Sequence, residues 1–354
     1  MKKISILLIF AIQLVNGQVL RNYSNEFLNI GVDASSFGMG KAVVATTNDV
    51  NAIYWNPAGL INVEETQIAL MHAEYFQGIA KYDYAAYAKP IDNESAIAFS
   101  LIRFSVDDIL NTTQLIDSQG NIDFNRISKF NASDMALHIG YARHHLLKNF
   151  DFGVNAKIVH RRIGEFANSW GFGLDAGLQY QTDNYKIGLM VRDVTTTFNA
   201  WSIDSDSFKS ISNAIPGQNQ EEPETLELTK PKVQFGVSRV FEFGHDYKLT
   251  TEIDLNMRFL ETNDLIATSF VSIDPSIGFQ LAYDNMVYLR TGINNFQSHT
   301  NFDESKSLSV EPNFGIGFKY NGIQIDYALS NIGGASGTLY SNVFSIKMNF
   351  SAFR

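Results

Sequence analysis

From Thr66 to the C-terminus, apolar and polar residues alternate in short runs, the period of a strand with two differently solvated faces. In the stretch Tyr247 to Phe259, Tyr247, Leu249, Ile253, Leu255, Met257 and Phe259 share one face, with Thr251 as its polar intruder. Lys248, Thr250, Glu252, Asp254, Asn256 and Arg258 take the other face. The split recurs in Phe152–Arg161, Trp170–Tyr180, Ile323–Ser330 and Phe344–Phe350. A strand this long, apolar on one side and charged on the other, suits a wall between lipid and a polar lumen. The pattern predicts strands near 66–76, 81–90, 94–104, 132–143, 150–162, 169–182, 184–194, 231–241, 246–259, 275–284, 286–294, 311–320, 322–330 and 339–350. That is about 14, an even number, as single-chain bacterial barrels require. Tyr247, Phe259, Trp170, Tyr180 and Phe350 fall at strand ends, where an interfacial girdle needs aromatics.

The connections point the same way. Pro90–Glu94, Thr182-Asp183, Glu242–His245, Asp284-Asn285 and Asn321-Gly322 read as tight turns. Longer polar segments lie between them, at 105–131, 163–168, 195–230, 260–274 and 295–310. Short and long alternate, as periplasmic turns and outer loops do in a barrel. Gln77-Gly78 and Arg143–Asn149 break the rhythm. A soluble sandwich has no reason to gather its long loops at one end.

The first 62 residues differ. Lys2 and Lys3 precede an apolar run, Ile4–Val15, and Val15-Asn16-Gly17 offers a cleavage site, so 1–17 reads as a secretory signal peptide. Residues 18–62 hold no period for long and are rich in small residues, which suggests a plug entering a barrel formed by 63–354. No other segment approaches the ~20 apolar residues of a spanning helix, so a membrane-embedded form must be a barrel. Removing Lys2 and Lys3 takes the net charge from −10 to −12, which argues against nucleic acid. The chain has no cysteine and hence no disulfide framework.

Within the plug, Gly38-Met39-Gly40 and the Trp55-Asn56-Pro57-Ala58-Gly59 turn stand out as candidate seats or gates. Glycine permits positive φ and close backbone approach, and Pro57 fixes φ and pushes Asn56 toward extended conformations. With the Tyr23–Gly31 run, these residues resemble the PorV/PorQ family, within the wider FadL-like class of outer-membrane barrels. The resemblance covers about 40 residues, and Val32-Asp33 departs from its pattern. It implies an all-β transmembrane antiparallel barrel with an N-terminal plug, in the outer membrane of a Bacteroidetes-type cell. It also implies an accessory role in type IX protein secretion, with the translocon and secreted cargo as partners beside outer-membrane lipid. The alternative is a FadL-like channel for hydrophobic small molecules, with a ligand in the lumen and a plug that shifts. A third reading is a structural scaffold.

Candidate chemistry is sparse, and we expect no enzyme, cofactor or metal. His144-His145 is the one close histidine pair, placed in an inner turn; on a strand, adjacent side chains would point apart. Asp107, Asp108, Asp117 and Asp123 lack the spacing of a calcium loop. No Gly-x-Ser-x-Gly elbow or dinucleotide fingerprint is present. Arg103, Lys157, Asp175, Arg192, Glu252, Asp254, Arg258, Arg290, Lys319, Asp326 and Lys347 are expected in the lumen. Their mixed signs favour pairing of wall and plug over a selective pore.

Overall fold

The computed structural model describes residues 24–76, 78–116, 119–147, 149–205, 225–300, 305–330 and 341–350. The expected signal peptide, Tyr23, Asp117 and residues 206–224 of the long 195–230 segment lie outside them. Strand segments run in chain order as β1 (Gln67–Tyr75), β2 (Ala80–Asp92), β3 (Ser95–Asn111), β4 (Ser128–Leu147), β5 (Phe150–Ile163), β6 (Ala167–Gln181) and β7 (Tyr185–Arg192). They continue as β8 (Thr197–Ile203), β9 (Leu226–Thr229), β10 (Lys232–Phe243), β11 (Tyr247–Arg258), β12 (Ile266–Ala267), β13 (Ser272–Tyr283), β14 (Val287–Thr300), β15 (Lys306–Tyr320), β16 (Ile323–Ser330) and β17 (Ser341–Asn349). All pairings are antiparallel, and β1 against β17 closes the sheet. The result is a closed 14-strand barrel, because β8 and β9 prolong the positions of β7 and β10 beyond breaks, and β12 is a rim fragment on β13.

Every expected strand is present, but several run further toward the outer rim. β3 reaches Asn111 and β4 starts at Ser128; β14 reaches Thr300 and β15 starts at Lys306. Part of each segment expected as a loop at 105–131, 195–230 and 295–310 is therefore strand. Above the membrane both faces of a hairpin are wet, so apolar alternation disappears while backbone pairing continues. Bulges mark the change, between Val106 and Ile109 and between Asn294 and Gln297. At the other end, β4 runs through the expected Arg143–Asn149 turn, and His144 pairs through Nδ1 with Asp151, 2.6 Å away.

Outward positions carry the apolar band, for example Leu174, Ile253, Leu289, Phe314 and Ile325. A closed barrel with such a band is an outer-membrane protein. Arg103 corrects the lumen expectation. It is exposed on the same face as Phe99 and Leu101 and stands opposite Asp83, which also meets His72 at 2.7 Å. These charges sit toward the outer rim, where a polar row replaces the apolar band.

The inner face is divided. On β1 to β3 it is apolar, built from Ala69, Met71, Ala73, Tyr75, Tyr82, Tyr84 and Ile102, and the plug's Phe37, Ile53, Trp55 and Leu60 join the same cluster. Each large side chain so buried contributes about 1.5–3 kcal/mol. From β5 round to β17 the inner face is polar. Lys157 meets Asp175 at 2.7 Å and also Asp193; Arg290 meets Asp326 at 2.7 Å. Lys157 and its two acids sit where β7 breaks off before β8, and the Asp193 amide donates to Asp175 Oδ1 at 2.8 Å. Replacing Lys157 by Met leaves two buried carboxylates without their cation, at a cost of about 3–5 kcal/mol. The folded, heat-modifiable band of Lys157→Met should convert at a clearly lower temperature than wild type; an unchanged midpoint would contradict the assignment.

Candidate functional site

Residues 24–62 lie inside the barrel, and each turn of this irregular chain is met by a particular wall group. Ser24 and Asn25 are held beside β8 and β9: Ser24 Oγ is 2.7 Å from Thr229 Oγ1, and Asn199 Nδ2 donates to Ser24 Oγ and Asn25 Oδ1 at 2.9 and 3.0 Å. The Tyr54 hydroxyl donates to Leu28 O at 2.6 Å and the Tyr82 hydroxyl to Phe27 O at 3.2 Å. A short helix, α1 (Ala34–Gly38), follows. Its Ala34 amide donates to Ser345 Oγ at 3.1 Å, and that hydroxyl donates to Asp33 Oδ1 at 2.9 Å.

After α1 the backbone travels along the wall. Gly38 lies so close to β15 that a Cβ would stand 2.9 Å from Gly315 Cα. Gly40 and Lys41 adopt φ of 62° and 64°, which turns the chain against Gly292 of β14. The Val43 and Val44 amides then donate to Asp254 Oδ2 at 2.9 and 3.1 Å, and the Ala45 amide to Glu252 Oε1 at 2.6 Å. Gln179 Nε2 serves the opposite side, donating to Thr47 O at 2.9 Å. A second helical turn, α2 (Ala52–Trp55), ends at Asn56, which is extended with φ of −164°. Asn56 Oδ1 caps the Ala58 amide at 3.2 Å, and its Nδ2 donates to Val44 O and Leu178 O, each at 3.0 Å. Pro57 opens a 3-10 turn, where it has no amide to satisfy. The Pro57-Ala58 peptide packs onto Gly153 of β5, and Gly59 onto the Thr47 carbonyl.

The candidate residues thus fall into two groups. Gly38, Met39 and Gly40 rest on β13 to β15; Asn56, Pro57 and Ala58 rest on β5 and β6, with β7, β10 and β11 between. Trp55 belongs to neither seat. Its Nε1 donates to Val32 O at 3.1 Å, it stands edge-on to Tyr54 at 4.9 Å, and it floors a cavity. Glu252 and Asp254 do more than the sequence reading foresaw, since they bind plug amides instead of wall cations. The signal was available: their cross-strand neighbours on the lumen side are Ser238, Gly236, Gly278 and Ser276, none of them cationic.

The plug leaves a cavity on each side. The outer one, about 330 Å³, has Leu28, Ile30, Tyr54 and Trp55 as its floor and Gln234, Asn256, Arg258 and Asp274 among its wall residues. Lys41 also lines it; burial pushes its ammonium below the usual lysine range, opposed by Glu311 and Asp274. The inner one, about 460 Å³, lies at the short-turn end among Asp33, Asp49, Gln280, Arg290 and Lys347. Burial, reinforced by Asp326, lifts the Asp33 carboxyl above the usual range. Lys347 is ion-paired with Asp49 across this inner cavity. Among the described residues no group of three or more metal-ligating side chains comes together.

No protein-family profile matches the sequence, and no curated protein matches it. Solved structures do. The Pseudomonas putida toluene transporter TodX superposes with a TM-score of 0.57 at 13% identity, covering 90% of this chain and 99% of that one. The CymD monoaromatic hydrocarbon channel gives 0.54 at 13%, covering 91% and 98%. The Ralstonia pickettii toluene transporter TbuX gives 0.52 at 13%, covering 90% and 98%. At such identity the likeness is one of fold, that of FadL-like outer-membrane barrels.

Replacing Glu252 and Asp254 together by Leu removes the acceptors for three successive plug amides. We expect amide exchange at Val43, Val44 and Ala45 to rise by at least about tenfold while the strand amides stay protected. Equal protection in the variant would show that these carboxylates do not hold the plug.

Proposed function

We propose that this protein is a non-enzymatic outer-membrane channel for small, largely hydrophobic molecules, which enter the outer cavity and pass when the plug shifts. The observation that carries the proposal is the outer cavity itself. It lies under the outer rim, its apolar floor belongs to the plug, and that plug stands between it and the inner cavity. The neighbouring structures, a toluene transporter and a monoaromatic hydrocarbon channel, support the same substrate class. In this reading Trp55 with Tyr54 forms the floor on which a passenger rests. Asn56 to Gly59 and Gly38 to Gly40 are the two seats from which the plug must lift.

The secretion role implied by the sequence resemblance draws no support from these neighbours, which are transporters and channels. The two readings differ in what should travel with the protein. Tagged protein extracted from outer membranes in mild detergent should come away as the barrel alone, and mass spectrometry of the extract should find a small apolar molecule released on unfolding. Recovery of a translocon or exported cargo, with an empty lumen, would overturn the channel reading. Trp55→Ala should reduce uptake of such a molecule by at least about fivefold in cells relying on this barrel. Uptake equal to wild type would remove Trp55 from the path.

A further inference from the structure

The lipid-facing side of the barrel carries one feature that neither plug nor lumen explains. On β7, β10, β11 and β13 the outward positions are apolar or aromatic, with two exceptions that sit side by side. Arg239 of β10 faces outward between Val237 and Phe241 and is exposed. Its cross-strand neighbour on β11 is Thr251, the intruder already visible in the alternation of that strand, and on β7 it is Tyr185. Thr251 in turn stands opposite Phe279 of β13.

The position along the strand fixes the depth. β10 ends at Phe243, four residues beyond Arg239, before the short turn to β11. Four residues span about 13 Å of strand, or about 10 Å of depth at a tilt of ~40°. The guanidinium is drawn toward that end. Its carbon lies 4.7 Å from the ring centre of Phe241, one outward rung closer to the turn, and 5.0 Å from that of Tyr185, the first residue of β7. Short turns mark the periplasmic end, so the charge reaches toward the headgroups of the inner leaflet. Among the described residues no carboxylate comes within 4.0 Å of it. An arginine facing lipid without a counter-ion is costly deep in the bilayer and favourable where an anion meets it.

We infer that Arg239 and Thr251, framed by Tyr185, Phe241 and Phe279, form a binding site for the phosphodiester headgroup of an inner-leaflet phospholipid. The planar guanidinium offers paired donors to phosphate oxygens. The Thr251 hydroxyl donates to Arg239 O at 3.3 Å, a long bond it can exchange for a lipid ester carbonyl. Phe279 and the aliphatic positions above it line the acyl chains. The occupant is a lipid and not a free anion, because the site opens only toward the membrane and the chain's net charge of −10 repels anions from solution.

The test is native mass spectrometry of the full protein reconstituted with phosphatidylethanolamine and phosphatidylglycerol, then stripped stepwise with detergent. Wild type should keep one phospholipid after the bulk lipid has gone, and Arg239→Leu should retain it at least about tenfold less at the same step. Thr251→Val should fall between, and Arg239→Lys should recover part of the loss. Both replacements at Arg239 keep the outward face compatible with lipid, and heat-modifiability reports that each barrel is closed. Equal retention in wild type and Arg239→Leu overturns the site. So does displacement of the lipid by millimolar inorganic phosphate, which would mark an ordinary anion site, and so does a protein partner bound through this face in place of lipid.

Discussion

The structure depends on satisfying an irregular backbone where water is scarce. Residues 24–62 form only short helical turns, whose own hydrogen bonds leave the amides and carbonyls between them to be met elsewhere. The wall supplies those partners. Asp254 and Glu252 take the amides of Val43 to Ala45, Gln179 donates to the Thr47 carbonyl beside them, and Arg192 Nη2 donates to Tyr54 O at 2.9 Å. Close approach makes this possible. Where the plug chain crosses the wall, the inward residue is glycine, as at Gly153, Gly188, Gly278 and Gly292, so backbone meets backbone. Apolar packing holds the side facing β1 to β3, and hydrogen bonding holds the rest. The plug is therefore fixed by two kinds of force on two sides.

That division explains what could be read from the sequence. The strands were legible because lipid imposes an apolar outward face: Tyr247–Phe259 shows it, and all fourteen expected strands are present. The outer extensions were not, since beyond the bulge between Asn294 and Gln297 the paired residues, such as Gln297 with Ser309 and Ser298 with Leu308, carry no apolar alternation. The inner face of β1 to β3 was also hidden. Met71, Tyr75 and Tyr82 point inward while His72, Glu74 and Lys81 point out, which inverts the polarity seen elsewhere. Arg103 was misplaced for the same reason. The Gly38–Gly40 and Trp55–Gly59 motifs were visible as motifs, but only the register of the distant β5, β6 and β13 to β15 decides what they touch.

Motif and fold answer different questions about function. The sequence motif covers the plug alone and drew the reading toward secretion. The superposition with hydrocarbon channels covers nine-tenths of the chain, yet at 13% identity it fixes architecture and leaves chemistry to the residues. Those residues give an aromatic floor under a largely polar wall. On the channel reading proposed above, a passenger must satisfy both, which narrows the candidates more than either comparison does.

The contacts that seat the plug join distant parts of the chain. Ala34 reaches Ser345 across 311 residues, Val44 reaches Asp254 across 210 and Ile53 reaches Asn155 across 102. The plug segment thus finds apolar partners on β1 to β3 but gains its polar ones only as the later strands form. It cannot be threaded afterwards into a finished cylinder whose inner glycines already press on its backbone. A sheet that wraps around the segment before the β1–β17 seam pairs avoids that obstacle. Delayed synthesis or early trapping of the N-terminal segment would therefore stall barrel closure itself, not merely leave an open tube.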